Sequence, residues 1–185
     1  DGTGADDWLF PSQPDTFYWV GGASTDWADA DNWSTASGGS PVSIGPPEAA
    51  TVVIDGNSAR NVLLAGDTTV GAVTIEEASA YKLDTNGHDF EINGALSVDG
   101  AGAGPYLEVG AGDTVTLSGA SASYRSADVD KDKTSWAATA VLNIQSDLDQ
   151  TLPSGETYGD LELGRYTTDG DATEFTMGST IEGDW

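Results

Sequence analysis

The groups in this chain that could do chemistry are mainly carboxylates, and they fall into short clusters. The two main clusters are Asp128, Asp130 and Asp132, and Asp26, Asp29 and Asp31. A smaller one is Asp169-Gly170-Asp171. Carboxylate oxygens are ligands that Ca²⁺ prefers, and a bound cation relieves repulsion between neighbouring carboxylates. The first cluster is not an EF-hand, because Lys133 and Thr139 stand where that loop needs Gly and Glu. The clusters therefore predict looser calcium loops, with solvated acidic loops as the alternative.

A second kind of candidate site consists of aromatic rings. Large rings stack on carbohydrate faces, and they also fill protein cores and cover the open ends of coiled strands. The candidate carbohydrate platform is Trp27, Trp33 and Trp136. Each Trp is embedded among small residues and turns, and this favours packing in a core or a cap. Asn32-Trp33-Ser34 also fits the pattern of a glycosylation acceptor.

Catalytic motifs are absent from the sequence. The chain has no cysteine and a single histidine, His88, in the turn Asn86-Gly87-His88-Asp89. No Gly-x-Ser-x-Gly elbow and no phosphate-binding glycine loop occurs. A polysaccharide lyase would need a basic residue such as Arg125 or Lys131 beside a calcium-binding carboxylate cluster, and nothing in the sequence requires that arrangement. We therefore expect that the chain is not an enzyme.

The charge of the chain restricts its partners. Six basic residues face 31 acidic ones, for a formal net charge of −25. Phosphate binding needs clustered Lys and Arg, so we expect no nucleic-acid partner. An anionic membrane surface would repel the chain, and no apolar run approaches the ~18 residues of a membrane span. Strong acidity fits a protein kept soluble in salty or cation-rich water.

These candidate residues must be held by strands, because apolar residues alternate with polar ones along most of the chain. The clearest cases are Val73-Thr74-Ile75, Phe90-Glu91-Ile92, Leu96-Ser97-Val98, Leu107-Glu108-Val109 and Val115-Thr116-Leu117. Period-two alternation indicates half-buried strands, and Gly, Asn or Asp closes each one. Ile54, Ile75 and Val98 lie 21 and 23 residues apart. A repeat of about 22 residues with several strands predicts the coils of a parallel β-solenoid.

An antiparallel β-sandwich or jelly roll remains the alternative fold. Such folds also show a strand every 8–12 residues, and Asn-Gly pairs such as Asn86-Gly87 are a strong hairpin signal. We predict an all-β chain in either case.

Two stretches resemble known proteins. FYWVGGASTDWADADNWS (17–34) resembles the N-terminal capping segment of bacterial surface β-solenoid proteins, which continue with a Pro-rich turn and a strand. QTLPSGETYGDLEL (150–163) is similar to a recurring coil of large bacterial cell-surface proteins. The resemblance implies a β-solenoid with an aromatic N-terminal cap, and it implies secretion to the cell surface. It implies no particular activity.

The predicted organisation is an extended arm followed by one β domain. The arm covers 1–15, the cap and connector 16–50, a first set of coils 51–119, an inserted loop 120–139 and further coils 140–185. Within the arm, Trp8, Leu9 and Phe10 form an apolar cluster that must dock, either on its own domain or on the free strand edge of a neighbouring subunit.

The sequence as a whole therefore predicts an extracellular structural protein. We expect it to assemble head-to-tail with copies of itself into a filament, tube or surface layer, with calcium as a candidate bridge between facing carboxylates. The alternative from another functional class is an adhesin or carbohydrate-binding module whose partners are surface glycans.

Overall fold

The computed structural model describes residues 15–99, 104–124, 133–146, 150–152, 157–164, 175–176 and 180–181. The strands are β1 (Thr16–Trp19), β2 (Trp33–Ser34), β3 (Thr51–Ile54), β4 (Val62–Leu63), β5 (Thr68–Val70), β6 (Ala72–Ile75), β7 (Leu83–Asp84), β8 (Phe90–Ile92), β9 (Leu96–Val98), β10 (Leu107–Val109), β11 (Thr114–Ser118), β12 (Thr134–Trp136), β13 (Val141–Gln145), β14 (Gln150–Thr151), β15 (Thr157–Tyr158), β16 (Asp160–Gly164), β17 (Phe175–Thr176) and β18 (Thr180–Ile181). In this part of the chain, the single helical element is a short 3₁₀ turn at Ala30–Asn32, and no helix has the length and apolar character of a membrane span.

Strands from successive turns of the chain pair in parallel to form three sheets. The first sheet has the order β2-β1-β3-β6-β9, the second β12-β10-β7-β4, and the third β16-β13-β11-β8-β5. The pairs β14–β17 and β15–β18 are also parallel. Thus β3, β4 and β5 make one coil, and β6, β7 and β8 make the next. About four such turns form a parallel β-solenoid, which confirms the predicted fold class over the antiparallel alternative.

The interior of the solenoid is built from columns of apolar side chains that repeat from coil to coil. Ile54 is paired with Ile75, and Ile75 with Val98, so the three residues spaced at about 22 positions lie one above another. All three side chains are fully buried. Along one strand, side chains point alternately into the solenoid and out to solvent. Because parallel pairing keeps the register constant, the inward side chains of successive strands stack into one column and the outward side chains into another.

An aromatic cap closes the solenoid at the level of β1. There β2 pairs with β1 in antiparallel fashion, which ends the parallel stack on that side. The Trp33 ring lies edge-on between Trp19 and Trp27, with centroid distances of 5.0 and 4.7 Å, and the Trp27 ring contacts Phe90 of the second coil. The Trp33 indole N–H donates to the Trp27 carbonyl at 2.8 Å. The cap therefore covers apolar area without leaving the Trp33 donor unpaired.

The segment 120–139 differs from the inserted loop that the sequence predicted. Its described residues belong to a coil, because Thr134–Trp136 forms β12 and pairs with β10. Ala122 and Tyr124 are fully buried, and Ser123 bridges to Ala95 of the preceding coil. The serine-rich composition concealed this coil, since its inward positions are Thr134 and aromatic residues rather than paired aliphatic ones.

Candidate functional site

A polar cleft of about 310 Å³ lies on the outside of the third sheet, near the cap. Its walls come from β5, β8 and β11 and from the residues that precede these strands. The lining residues are Asp67, Thr68, Thr69, Asp89, Phe90, Glu91, Thr114 and Thr116. Apart from Phe90, whose side chain is buried, these residues present carboxylates and hydroxyls.

The carboxylates at the cleft form a ladder across successive coils. An Asp67 carboxylate oxygen accepts the Asp89 backbone N–H at 3.1 Å, and an Asp89 carboxylate oxygen accepts the Thr114 N–H at 2.8 Å. Each carboxylate thereby binds the first residues of the next strand in the sheet. Oxygen atoms that are not used in the ladder face solvent, where they can accept from ligand hydroxyls or bind a hard cation.

His88, the single histidine of the chain, lies beside the cleft. Its Nδ1 lies 3.8 Å from an Asp67 carboxylate oxygen, and its side chain is one-third exposed. Thr68, which also lines the cleft, donates its hydroxyl to the Gly66 carbonyl at 2.8 Å.

The Lys82 side chain forms two ion pairs on the outside of the second sheet. Asp84 and Glu108 are neighbours in one outward column, and the Lys82 ammonium binds both carboxylates, Asp84 at 3.5 Å and Glu108 more closely. Partial burial by itself lowers the pKa of Lys82, but the hydrogen bond to Glu108 and the charges of both acids outweigh it. The pKa of Lys82 is therefore raised above its ordinary value.

The inward column of the third sheet ends in an exposed leucine on β16. The column runs Val70, Ile92, Leu117, Ile144 and Leu163. The first four side chains are fully buried, whereas Leu163 is 37% exposed. Within the part of the chain that the structure describes, no strand pairs with the outer edge of β16.

The carboxylates of the acidic cluster Asp26, Asp29 and Asp31 accept hydrogen bonds from their own turn and from a nearby loop. One Asp29 oxygen accepts the Ser24 hydroxyl at 2.9 Å, and Asp26 accepts the Ala28 N–H at 2.8 Å. Asp31 accepts the hydroxyl of Ser43. Across the described ranges, no group of three carboxylates or histidines is arranged to hold a metal ion. The candidate calcium residues Asp128, Asp130 and Asp132, and the pair at 169–171, lie outside the described residues.

Asn32, the candidate glycosylation acceptor, is fully buried. Its amide nitrogen donates to the Ser24 hydroxyl and the Asp26 carbonyl, both at 2.9 Å. Its carbonyl oxygen accepts the N–H groups of Ala23 and Ser24. The side chain thus organises the cap loop, and its nitrogen is not accessible to a sugar in the folded chain.

The three tryptophans of the candidate carbohydrate platform lie in the interior. Trp33 is fully buried, and Trp27 and Trp136 are less than a tenth exposed. Trp136 belongs to a second ring cluster with Tyr124 and Tyr158, at centroid distances of 6.4 and 5.5 Å. Their burial supports the packing interpretation. The predicted subunit-contact residues Trp8, Leu9 and Phe10 lie outside the described residues.

Comparison of the chain with models of protein families, with curated proteins and with solved structures finds no match.

Proposed function

We propose that the chain is a structural module of a secreted or cell-surface protein and that it associates end to end with copies of itself. The observation that carries the proposal is Leu163, the one exposed member of an otherwise buried column. An aliphatic side chain at the end of a coil gains free energy when another apolar surface covers it. Backbone groups of the same strand that no described strand pairs with favour covering by a further strand.

The two ends of the stack that the structure describes are chemically different. At one end, β2 and the rings of Trp19, Trp27 and Trp33 close the interior. At the other, β16 has an unpaired edge among the described residues. A contact that joins unlike ends differs from the two-fold contact of a symmetric dimer, and it repeats into a filament or a layer where its rotation does not close into a ring.

Charge opposes this association. The chain carries a net charge of −25, and Asp160 and Glu162 lie on the end strand itself. We therefore propose that salt or calcium is required, since screening or a bridging cation reduces repulsion between copies. Sedimentation velocity and electron microscopy in low salt, high salt, CaCl₂ and EDTA test this. We expect oligomers in high salt or calcium. Monomers in every condition would overturn the proposal.

A charged residue placed at the coil end provides a sharper test. Leu163→Glu should weaken association at least tenfold, because it puts a carboxylate where apolar contact is needed. Thr74→Glu is the matched control, since it adds the same charge on the outward face of the first sheet, away from the coil end. Equal weakening by both substitutions would show that net charge alone controls assembly.

A second candidate function, binding of a surface glycan, is favoured by the cleft on the third sheet. Hydroxyls of Thr69, Thr114 and Thr116 and the carboxylates of Asp89 and Glu91 can hydrogen-bond a polyhydroxylated ligand. A glycan array with the natural chain and an Asp89→Asn, Glu91→Gln variant tests it. Binding that survives in the variant would locate the glycan elsewhere, and absence of binding would eliminate this function.

A further inference from the structure

Two Asn-Gly pairs lie at corners of the solenoid, and their amide groups are held differently. Asn86-Gly87 lies between β7 and β8, and Asn93-Gly94 lies between β8 and β9. Asn-Gly pairs are chemically labile, because glycine has no side chain to hinder attack of its backbone nitrogen on the preceding side-chain amide. The chain therefore offers an internal comparison of one reaction at two corners.

Both reacting groups of Asn86-Gly87 are bound by neighbouring coils. The Asn86 amide nitrogen, which would be the leaving group, donates to the Leu64 carbonyl of the preceding coil at 2.9 Å. The Gly87 N–H, which carries the attacking nitrogen, donates to the Asp113 carboxylate of the following coil at 3.0 Å. Cyclisation would break both hydrogen bonds, so this corner must open before Asn86 can react.

The same two groups of Asn93-Gly94 are unbound. Asn93 is exposed, and in the part of the chain that the structure describes nothing accepts a hydrogen bond from its amide nitrogen or from the Gly94 N–H. The Ser118 hydroxyl donates to the Asn93 amide oxygen at 2.7 Å, with Glu91 as its alternative acceptor at 2.8 Å. A donor at that oxygen stabilises the negative charge that develops there when the Gly94 nitrogen attacks. The hydrogen bond from Ser118 therefore favours the reaction.

We propose that Asn93 is a site of spontaneous deamidation in the folded chain, promoted by the Ser118 hydroxyl, whereas the fold protects Asn86. The Gly94 backbone nitrogen forms a bond to the side-chain carbonyl carbon of Asn93. The side-chain nitrogen leaves as ammonia and takes the proton of the Gly94 N–H. Water then opens the resulting succinimide at either carbonyl, which gives an aspartate or an isoaspartate. In the isoaspartate, the main chain runs through the former side chain.

Either product changes a crowded corner. The new carboxylate lies two residues from Glu91 on the same outward face, and the single Ser118 hydroxyl can donate to only one of the two acids at a time. Isoaspartate also adds one carbon to the main chain just before Gly94, where even a Cβ atom would lie 2.5 Å from the Gly71 carbonyl oxygen. Deamidation therefore weakens the contact between this corner and the preceding coil.

Peptide mapping of the natural chain after ageing in mildly alkaline buffer tests the assignment. A protease that cleaves before Asp89 separates the two Asn-Gly pairs, and mass spectrometry then quantifies deamidation at each. We expect Asn93 to react at least tenfold faster than Asn86 in the folded chain, and the two to react at similar rates in concentrated urea. An equal or faster rate at Asn86 in the folded chain would overturn the proposal. A tenfold difference that persists in urea would also overturn it, because the selectivity would then come from the local sequence.

Two variants test the roles of the individual groups. Ser118→Ala should slow deamidation of Asn93 several-fold in the folded chain and leave it unchanged in urea; an unchanged or faster rate in the folded variant would overturn the role of the hydroxyl. Asn93→Gln keeps an amide at the corner but cyclises far more slowly, because attack must close a six-membered ring. After equal ageing, it should unfold at a higher urea concentration than the natural chain, and identical unfolding of the two aged chains would overturn the weakening of the corner.

Discussion

The spacing between coils can be tested at the corner where the third sheet leads into the first. A Cβ atom on Gly94 would lie 2.5 Å from the Gly71 carbonyl oxygen of the preceding coil. Ordinary contact begins nearly 1 Å further away, so Gly94→Ala requires the two coils to separate by roughly that distance. Both partners are tied to strands, and neither can move independently of its sheet.

The cost follows from two opposing effects. Overpacking of this kind costs about 1–3 kcal/mol, and the loss of backbone freedom in the unfolded chain returns about 0.4–1 kcal/mol when Ala replaces Gly. We expect Gly94→Ala to destabilise the fold by about 1–2 kcal/mol, which lowers the Tm of a chain of this size by about 2–8 °C.

Gly66 provides the matched control for this substitution. A Cβ atom there would meet nothing within 4 Å, and its backbone lies outside the left-handed region. Gly66→Ala should therefore leave the Tm unchanged or raise it slightly. Thermal and urea unfolding followed by far-UV circular dichroism measure both variants. If Gly94→Ala is as stable as Gly66→Ala, the coils do not approach each other at this corner as the structure has them.

Three further substitutions test the cap, the ion pair and a buried hydrogen bond. Trp33→Ala should cost about 3–5 kcal/mol in urea unfolding, because the ring is fully buried; a loss below 1 kcal/mol would contradict a packed cap. A double-mutant cycle with Lys82→Met and Glu108→Gln should give a coupling of about 0.5–1 kcal/mol at pH 7. Because the pKa of Lys82 is raised in the fold, this coupling is complete at neutral pH and disappears only as pH rises through the folded pKa; coupling unchanged at strongly alkaline pH would contradict the ion pair. Thr85→Val should cost about 1–3 kcal/mol, because the hydroxyl donates to the buried Asp113 carboxylate at 2.5 Å, whereas Thr85→Ser should retain most of the stability.

The coils were predictable because the side chains that define them repeat at one spacing. The spacing of Ile54, Ile75 and Val98 predicted both the coil period and the inward column, and the structure pairs these residues as expected. Asn86-Gly87 pointed towards a hairpin, yet both residues have positive φ, 54° and 86°, at a corner between β7 and β8. The Asn-Gly pair therefore indicates a tight turn with left-handed backbone, and a corner of a solenoid requires such a turn as a hairpin does.

The cleft was not predictable in the same way, because its residues are far apart in the chain. Asp67 and Asp89 are 22 positions apart, and neither belongs to a local acidic cluster. One signal was present: this separation equals the coil period, so equivalent positions in successive coils had to be neighbours. Looking for chemical groups at the coil spacing, rather than within short windows, would have located them.

The arrangement of charge shows how so acidic a chain tolerates stacking. In a parallel solenoid, each outward column brings equivalent residues of successive coils to about 4.8 Å, so like charges at one position repel strongly. One outward column of the third sheet runs Thr69, Glu91, Thr116, Asn143 and Glu162, and its acids are never adjacent.

Adjacent acids do occur: Asp67 and Asp89 are neighbours just before strands of the third sheet, where Asp67 accepts the Asp89 backbone N–H. The second sheet has a further adjacent pair, which is bound by a lysine. Asp84 and Glu108 are direct neighbours there, and this is where one of the chain's six basic residues, Lys82, lies between carboxylates. Neutral residues between the acids of the third-sheet column and Lys82 between the acids of the second sheet thus both limit electrostatic repulsion between successive coils.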